Sequence, residues 1–363
     1  MAKKLSSDLT LFAVTAALLG LGLVMVWSAS SVLAQERHGS AYYFLFKQVV
    51  WATLGLGVMV TALRIDYRKL RRPTVVYTVV AGTTLLLILV LFLRPVNETH
   101  RWIRLGGLSF QPAEMAKLAV ILFLAYHIER RGERVNEFLP ALFPALLLLG
   151  WFAFLVYIQP DLGSAATLVL TGGVMLFLAG VRLRYFAALA VPGLGLLYHL
   201  VMGAAYRRDR IEAFLNPWSD ARGTGYQIIQ SLIAVGTGGV TGVGLMEGRQ
   251  KLFYLPYPYS DFIYAVIGEE LGLLGAAAVV MAFALVLWRG LRAAWKAPDA
   301  FGTFLAAGLT VGIVLQAFIN ISVVLGLLPT KGIPLPFISA GGSSLVFTLL
   351  AVGLVLNVSQ HAD

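Results

Sequence analysis

Residues 249–288 read RQKLFYLPYPYSDFIYAVIGEELGLLGAAAVVMAFALVLW. The opening part is polar and turn-rich, with Pro256 and Pro258 set among three tyrosines. From Asp261 to Trp288 the chain is apolar apart from Glu269 and Glu270. A helix needs about 20 apolar residues, at 1.5 Å each, to cross a bilayer. Residues 261–288 therefore read as a membrane span with Asp261 at its lip. A carboxylate there is expensive to desolvate and calls for a reason beyond packing. Asp261 is read as a catalytic base, although a helix-start carboxylate is the plainer alternative.

The whole chain fits that setting. Of 363 residues, 59% are hydrophobic and 13% charged, and the mean hydropathy is +0.81. Soluble domains carry roughly 25% charged residues, so an all-α, polytopic integral membrane protein is expected. There is no cysteine, which excludes disulfides, Cys-ligated zinc and a thiol nucleophile. The five histidines show no metal-ligand spacing. A net charge of +10 would suggest nucleic acid in a soluble chain. Here the basic residues flank spans, so no nucleic-acid partner is expected.

Ten transmembrane helices are expected, at 9–33, 45–64, 73–94, 111–128, 138–158, 161–180, 183–203, 261–288, 302–328 and 337–358. The first apolar run is longer than the roughly 7–15 residues of a signal-peptide core, so it reads as a retained span. Positive charge in short loops sets orientation. With the N-terminus inside, the cytoplasmic ends hold Lys3, Lys4, Arg64, Arg68, Lys69, Arg71, Arg72, Arg130, Arg131, Arg134, Arg182, Arg184, Arg289, Arg292 and Lys296. The outer short loops hold Arg37, Lys47, Arg94, Arg101, Arg104 and Lys331. Both termini are thus expected in the cytoplasm and Asp261 outside, where no ATP is available. The sequence is treated as one domain, 1–363, with a large extracytoplasmic loop, 204–260, between helices 7 and 8.

That loop is not a plain linker. Ile228, Ile229, Leu232 and Ile233 follow an amphipathic spacing, so an interfacial helix is expected. The glycines from Gly236 to Gly248 have no strand before them, which argues against a dinucleotide loop. They suit close backbone packing or approach to a ligand. No internal repeat supports an inverted-repeat transporter.

Four polar clusters fall on the expected outer side. Arg101 and Arg104 flank Trp102, after Glu98 and His100; interface anchoring is the bland account. Gln111-Pro112-Ala113-Glu114-Met115-Ala116-Lys117 opens a span, with Pro112 suited to a first turn. Glu114 and Lys117, three apart, share a side and should face a wet cavity or fix packing. Asp161 follows Pro160 at a helix start, where capping and a site role are equally open. Asp261 is followed by Glu269 and Glu270, with Ser260 available to cap. Finally, GIPLPFISAGGSS (332–344) is too rich in Pro and Gly for a regular helix at its start, and Lys331 precedes it. Carboxylates beside cations can take a hydroxyl proton and hold a pyrophosphate. No nucleophile has an attendant base, so direct displacement fits better than a covalent intermediate.

Five segments resemble the SEDS family over nearly the whole chain: RWIRLGGLSFQPAEMAK, QPDLGSA, NPWSDARGTGYQIIQSLIAVGTGG, RQKLFYLPYPYSDFIYAVIGEELGLLG and GLLPTKGIPLPFISAGGSSL. NPW, GYQIIQS and PTKGIPLPFIS are more like its cell-division branch than its elongation branch. The resemblance implies ten spans in the bacterial cytoplasmic membrane and a peptidoglycan glycosyltransferase for septal synthesis. It implies polymerisation of lipid II, with a glycan on undecaprenyl pyrophosphate as donor, into a β-1,4 glycan with inversion. Asp261 falls on the family's essential aspartate. Arg101, Glu114, Lys117 and Asp161 match other cavity positions, and Arg101, Lys117 and Lys331 are assigned to substrate or pyrophosphate by charge. The implied partners are a class B penicillin-binding protein, other divisome proteins and membrane lipids. Tyr257 and Tyr259 depart from the family's usual Glu and His, so any acid or imidazole role there is lost. No cofactor is assigned. A divalent cation, Mg or Mn, between Asp261 and pyrophosphate is chemically compatible, but no ligand set is readable. A lipid II flippase is the alternative of a different class.

Overall fold

The computed structural model describes residues 7–95, 99–105 and 108–361; Lys3, Lys4 and Glu98 lie outside them. Twelve α-helices run through this part: α1 Leu9–His38, α2 Tyr43–Arg64, α3 Pro73–Leu89, α4 Pro112–Arg131, α5 Phe143–Ile158, α6 Leu162–Leu178, α7 Leu183–Met202, α8 Ala205–Leu215, α9 Tyr226–Thr237, α10 Ile263–Trp295, α11 Ala300–Val324 and α12 Ser343–Ser359. The chain is a multi-pass membrane protein. Seven helical stretches are long and apolar enough to cross a membrane: α1, α2, Pro73–Phe92, Phe138–Ile158, α7, α10 and α11. α6 and α12 are apolar but shorter. α4 spans 20 residues but carries Glu114, Lys117, Glu129, Arg130 and Arg131. Each of the ten expected segments falls on one of these helices, with shifted ends.

Helix starts follow local chemistry. Asp8, Asp161 and Asp299 accept from the N–H of Leu11, Ser164 and Gly302 and so cap α1, α6 and α11. Pro73 and Pro112 occupy first-turn positions, where no N–H is missed. The core gathers around α11, which packs on α4, α6, α10 and α12. α2 lies along α12, and α1 along α2 and α10. α7 stands apart: none of its residues is buried, and its main neighbour is α8.

Several expectations need correction. Besides its helices the chain holds one short antiparallel pair, β1 Ile103–Leu105 against β2 Leu108–Phe110, among the described residues. The last helix starts at Ser343 rather than 337, because Phe337 and Gly342 take φ of 67° and 52°, outside the right-handed helical region. Residues 204–260 hold two α-helices, α8 and α9. In α9 the buried residues are Ile228, Ile229, Ser231 and Ala234, while Leu232 and Ile233 turn outward. That helix packs on α10 and the end of α11, and Ser231 Oγ donates to Val324 O at 2.7 Å.

The eighth span is broken at Gly272, whose φ of 65° and ψ of −164° are not helical. The glycine loop 238–248 repairs the break by backbone bonding. Leu273 N and Leu274 N donate to Gly239 O and Val240 O at 2.9 and 3.1 Å. Val243 N and Gly244 N donate to Glu269 O and Glu270 O at 3.0 and 3.1 Å. Four groups that the helix would have paired internally are satisfied from outside, as backbone in a low-dielectric setting requires. A Cβ on Gly242 would collide with the Glu270 carbonyl, so the approach is possible only without side chains.

Candidate active site

Asp261 lies in the turn before α10, partly accessible, at the bundle end that also carries the 331–342 loop. Ser260 Oγ does not cap the helix; it donates to Asp261 Oδ1 at 3.0 Å. Burial pushes the Asp261 carboxyl up to about 6, against the pull of Ser260, Arg101 and Arg210, with Asp161 adding a like charge. No cation stands within ion-pairing distance of it among the described residues. It is therefore a carboxylate held ready to accept a proton near neutral pH.

Of the two roles left open for Asp161, the helix cap is present. Its carboxylate caps α6, accepting from Ser164 N at 3.0 Å and Ser164 Oγ at 2.7 Å. It also accepts from Gln111 Nε2 at 3.1 Å and faces Arg101 Nη1 at 3.9 Å. Arg101 is thereby brought from the hairpin's leading edge to the start of α6. Lys331 lies over the same turn: a Cβ on Gly163 would be 3.3 Å from its Cδ. Burial, with Arg210, Arg207 and Arg101 nearby, brings the Lys331 amine down to about 8, and Asp161 opposes that.

Two arginines of α8 join this group, and sequence reasoning missed both. Arg210 Nη1 donates weakly to Thr330 O at 3.4 Å, and burial holds its guanidinium below the usual range. Arg207 is fixed, donating to Tyr157 Oη at 3.2 Å and Leu200 O at 2.6 Å, with its guanidinium over the Tyr157 ring. Arg207 and Arg210 are three apart in AYRRDRIEAFL, and that helical spacing was the available signal. Arg101, Arg210 and Lys331 thus surround Asp161 and Asp261, leaving an excess of positive charge beside a proton acceptor. Such a rim suits an anion as dense as a diphosphate.

Glu114 and Lys117 are placed elsewhere. Lys117 Nζ is 2.8 Å from Glu114 Oε2 and donates to Gln316 Oε1 at 2.6 Å. Both line a narrow cavity of about 40 Å³ between α4, α6, α11 and α12, with Thr171, Gln316 and Thr348. That volume holds two or three waters. Arg101, Asp261 and Lys331 do not line it. Gln316 Nε2 in turn donates to Pro334 O at 2.9 Å, which joins this cavity to the loop beside Asp261.

Glu269 and Glu270 are structural. Glu270 pairs with Lys251 at 2.6 Å and accepts from Ser28 Oγ at 2.7 Å and Met246 N at 3.0 Å. Glu269 accepts from Arg249 N at 2.7 Å and Gln250 N at 3.2 Å. Together they pin the 246–251 turn to α10. Tyr259, at a position of departure from the family pattern, stacks on Phe44 with ring centres 4.5 Å apart. Among the described residues no group of three or more His, Asp or Glu could hold a metal by itself.

The fold and site define a class: a multi-pass helical membrane protein with two carboxylates, Asp161 and Asp261, among basic side chains at one end of the bundle. The FtsW/RodA/SpoVE family of cell cycle proteins matches residues 9–363. The chain belongs to that family. It is 47% identical over 358 residues to a probable peptidoglycan glycosyltransferase FtsW of Geobacter sulfurreducens, covering 98% of this chain and 95% of that one. It is 43% identical over 361 residues to stage V sporulation protein E of Bacillus subtilis, covering 99% of each. A chain solved in a peptidoglycan synthase complex superposes with a TM-score of 0.80 at 31% identity, covering 98% of both. RodA of Thermus thermophilus superposes with a TM-score of 0.70 at 28% identity, covering 98% of this chain and 97% of that one.

Proposed function

We propose that the chain is a peptidoglycan glycosyltransferase that polymerises lipid II for septal wall synthesis. The observation that carries this is Asp261: a carboxyl raised to about 6, without an ion-pair partner among the described residues, with Arg101 and Arg210 acting on it and Lys331 nearby beside Asp161. At neutral pH most of it is ionised, yet it is more basic than an ordinary carboxylate.

The acceptor's 4-hydroxyl oxygen attacks the anomeric carbon of the donor sugar. Its proton passes to the Asp261 carboxylate. The bond from that carbon to the pyrophosphate oxygen breaks, and the electron pair leaves with undecaprenyl pyrophosphate. One direct displacement inverts the anomeric carbon and gives a β-1,4 link. Arg101, Lys331 and Arg210 stabilise the charge that develops on the leaving group. Asp161 holds Arg101 in place. Lys117 spends two donors on Glu114 and Gln316, and Gln316 in turn donates to Pro334 O, so Lys117 and Glu114 act on the site through the loop at 331–341. A Mg or Mn ion would have to draw most of its ligands from the pyrophosphate and water.

In this reading ten helices span the bacterial cytoplasmic membrane, with α4, α6 and α12 added to the seven long apolar stretches. Both termini lie in the cytoplasm, and residues 204–260 lie outside. α7, with no buried residue and core contacts through Tyr185 and Phe186 at its start, leaves room along its later turns for an isoprenoid chain to reach the site. A class B penicillin-binding protein would cross-link the product, supported by the likeness to a chain from a peptidoglycan synthase complex.

The test is purified protein in detergent on lipid II, where no second compartment exists and a flippase has no measurable action. Polymer from wild-type protein and none from a folded Asp261→Asn variant is the expected result. Full activity in that variant sinks the proposal.

A further inference from the structure

The carbonyls of three consecutive residues, ending at Asp261, are all taken by one loop and one helix. Ala340 N donates to Tyr259 O at 3.0 Å. Ser339 Oγ donates to Ser260 O at 2.6 Å. Asn320 Nδ2 donates to Asp261 O at 2.8 Å. Two of these donors are side chains, and each has a second bond into the 331–341 loop. Asn320 Nδ2 also donates to Ile333 O at 2.7 Å, and Ser339 Oγ accepts from Leu335 N at 2.8 Å. Asn320 is 1% exposed and Ser339 3%.

Among the described residues the carboxylate itself has a single hydrogen bond, from Ser260 Oγ. Everything else that fixes Asp261 fixes its backbone. The same two side chains bring the 331–335 loop alongside, so that Gly332 lies against Asp261 Oδ2. Locking the main chain while leaving Oδ2 without a hydrogen bond is what a proton acceptor needs: a fixed position and an open lone pair.

We propose that Asn320 and Ser339 are positioning residues that hold Asp261 in its reactive placement by tying the backbone at 260–261 to the 331–341 loop. The proposal rests on the reading of Asp261 as general base. Chemistry selects these residue types. A neutral carboxamide nitrogen carries two hydrogens, enough for two carbonyls, and no acceptor is set against them. An aspartate at 320 would face two carbonyl oxygens with a third acceptor. A hydroxyl at 339 can donate to one peptide group and accept from another, which alanine cannot do.

The experiment compares wild type, Ser339→Ala and Asn320→Ala, as full-length protein in detergent. Three quantities are read: the melting midpoint, kcat and KM for lipid II polymerisation across pH, and the titration of 13C-labelled aspartate at position 261. Both variants are expected to lose about 10- to 100-fold in kcat, the size of effect of about 1 Å of misplacement, with KM within about twofold. Their Asp261 titration and the acid limb of the rate profile should move to lower pH together, as the freed carboxylate gains water. Ser339→Ala deletes one oxygen and is the milder change, so the test does not depend on Asn320→Ala accumulating. Folded variants with wild-type kcat and an unmoved titration would overturn the proposal. So would a loss of rate that only tracks the loss of folded protein. Wild-type protein that makes no polymer, while the titration still shifts in the variants, would sink the glycosyltransferase reading and leave the positioning role standing.

Discussion

A Cβ on Gly332 would lie 2.8 Å from Asp261 Oδ2, closer than two such atoms can sit without one of them moving. Position 332 therefore has to be glycine for the carboxylate to stay where it is. Gly332→Ala is expected to cut polymerisation by roughly 10- to 100-fold, because the added methyl displaces the proton acceptor rather than removing it. The methyl points toward a partly open site, so the fold should tolerate it. Polymer yield from lipid II, read beside the melting midpoint, checks this. A variant with wild-type rate would mean that the carboxylate has room to spare.

The rate should depend on pH from both sides. Asp261, raised to about 6, works only when deprotonated, so kcat/KM falls as pH drops through about 6. Lys331, lowered to about 8, works only when protonated, so kcat/KM also falls as pH rises through about 8. The profile is a bell whose limbs belong to the free enzyme. Lys331→Arg keeps the charge at every accessible pH. It should abolish the alkaline limb and leave the acid limb in place. An alkaline limb that survives in Lys331→Arg would remove Lys331 from the site.

The Lys251–Glu270 pair is held at 2.6 Å with side-chain exposures of 4% and 0%. Removing one partner strands a buried charge, which costs about 3–5 kcal/mol, while replacing both by apolar groups of similar size is often neutral. Glu270→Ala should lower the melting midpoint sharply. Lys251→Met combined with Glu270→Leu should recover much of the loss. The same comparison separates latch from chemistry, because the double variant should regain polymerase activity along with stability. A folded double variant with no activity would place the pair in the catalytic machinery.

The positions of the apolar helices were legible because apolar runs of membrane length are a long, redundant signal. Asp161 and Asp261 were legible because carboxylates at span lips are rare and costly. What escaped was set by partners distant in sequence. Gly272 looks like any glycine in an apolar helix, and only the 238–248 loop bonding across it makes the break. Arg207 and Arg210 lie in a stretch read as one polar loop, and become site residues only because α8 folds back toward Thr330. Glu114 and Lys117 were paired correctly from their spacing, but charge alone could not tell a diphosphate rim from a small wet cavity shared with Gln316. The hairpin at 103–110 had a local cue in Gly-Gly between apolar residues, outweighed by the helical character of everything around it.

The raised carboxyl at Asp261 also predicts a conflict between activity and stability. Its folded value of about 6 lies above the ordinary aspartate value near 3.9. Between those values the folded protein binds more protons than the unfolded chain, so stability falls as pH rises through that window. Above about pH 6 the full penalty for keeping the group ionised is present. Asn at 261 has nothing to ionise and escapes it. Asp261→Asn should therefore melt with wild type near pH 4 and above it at pH 7, by the equivalent of roughly 2 kcal/mol once solvent screening is allowed for. Melting curves in detergent at the two pH values decide it. A variant that is inactive but more stable only at the higher pH marks a residue kept for reaction rather than for folding. A variant less stable at both would make Asp261 a structural group instead.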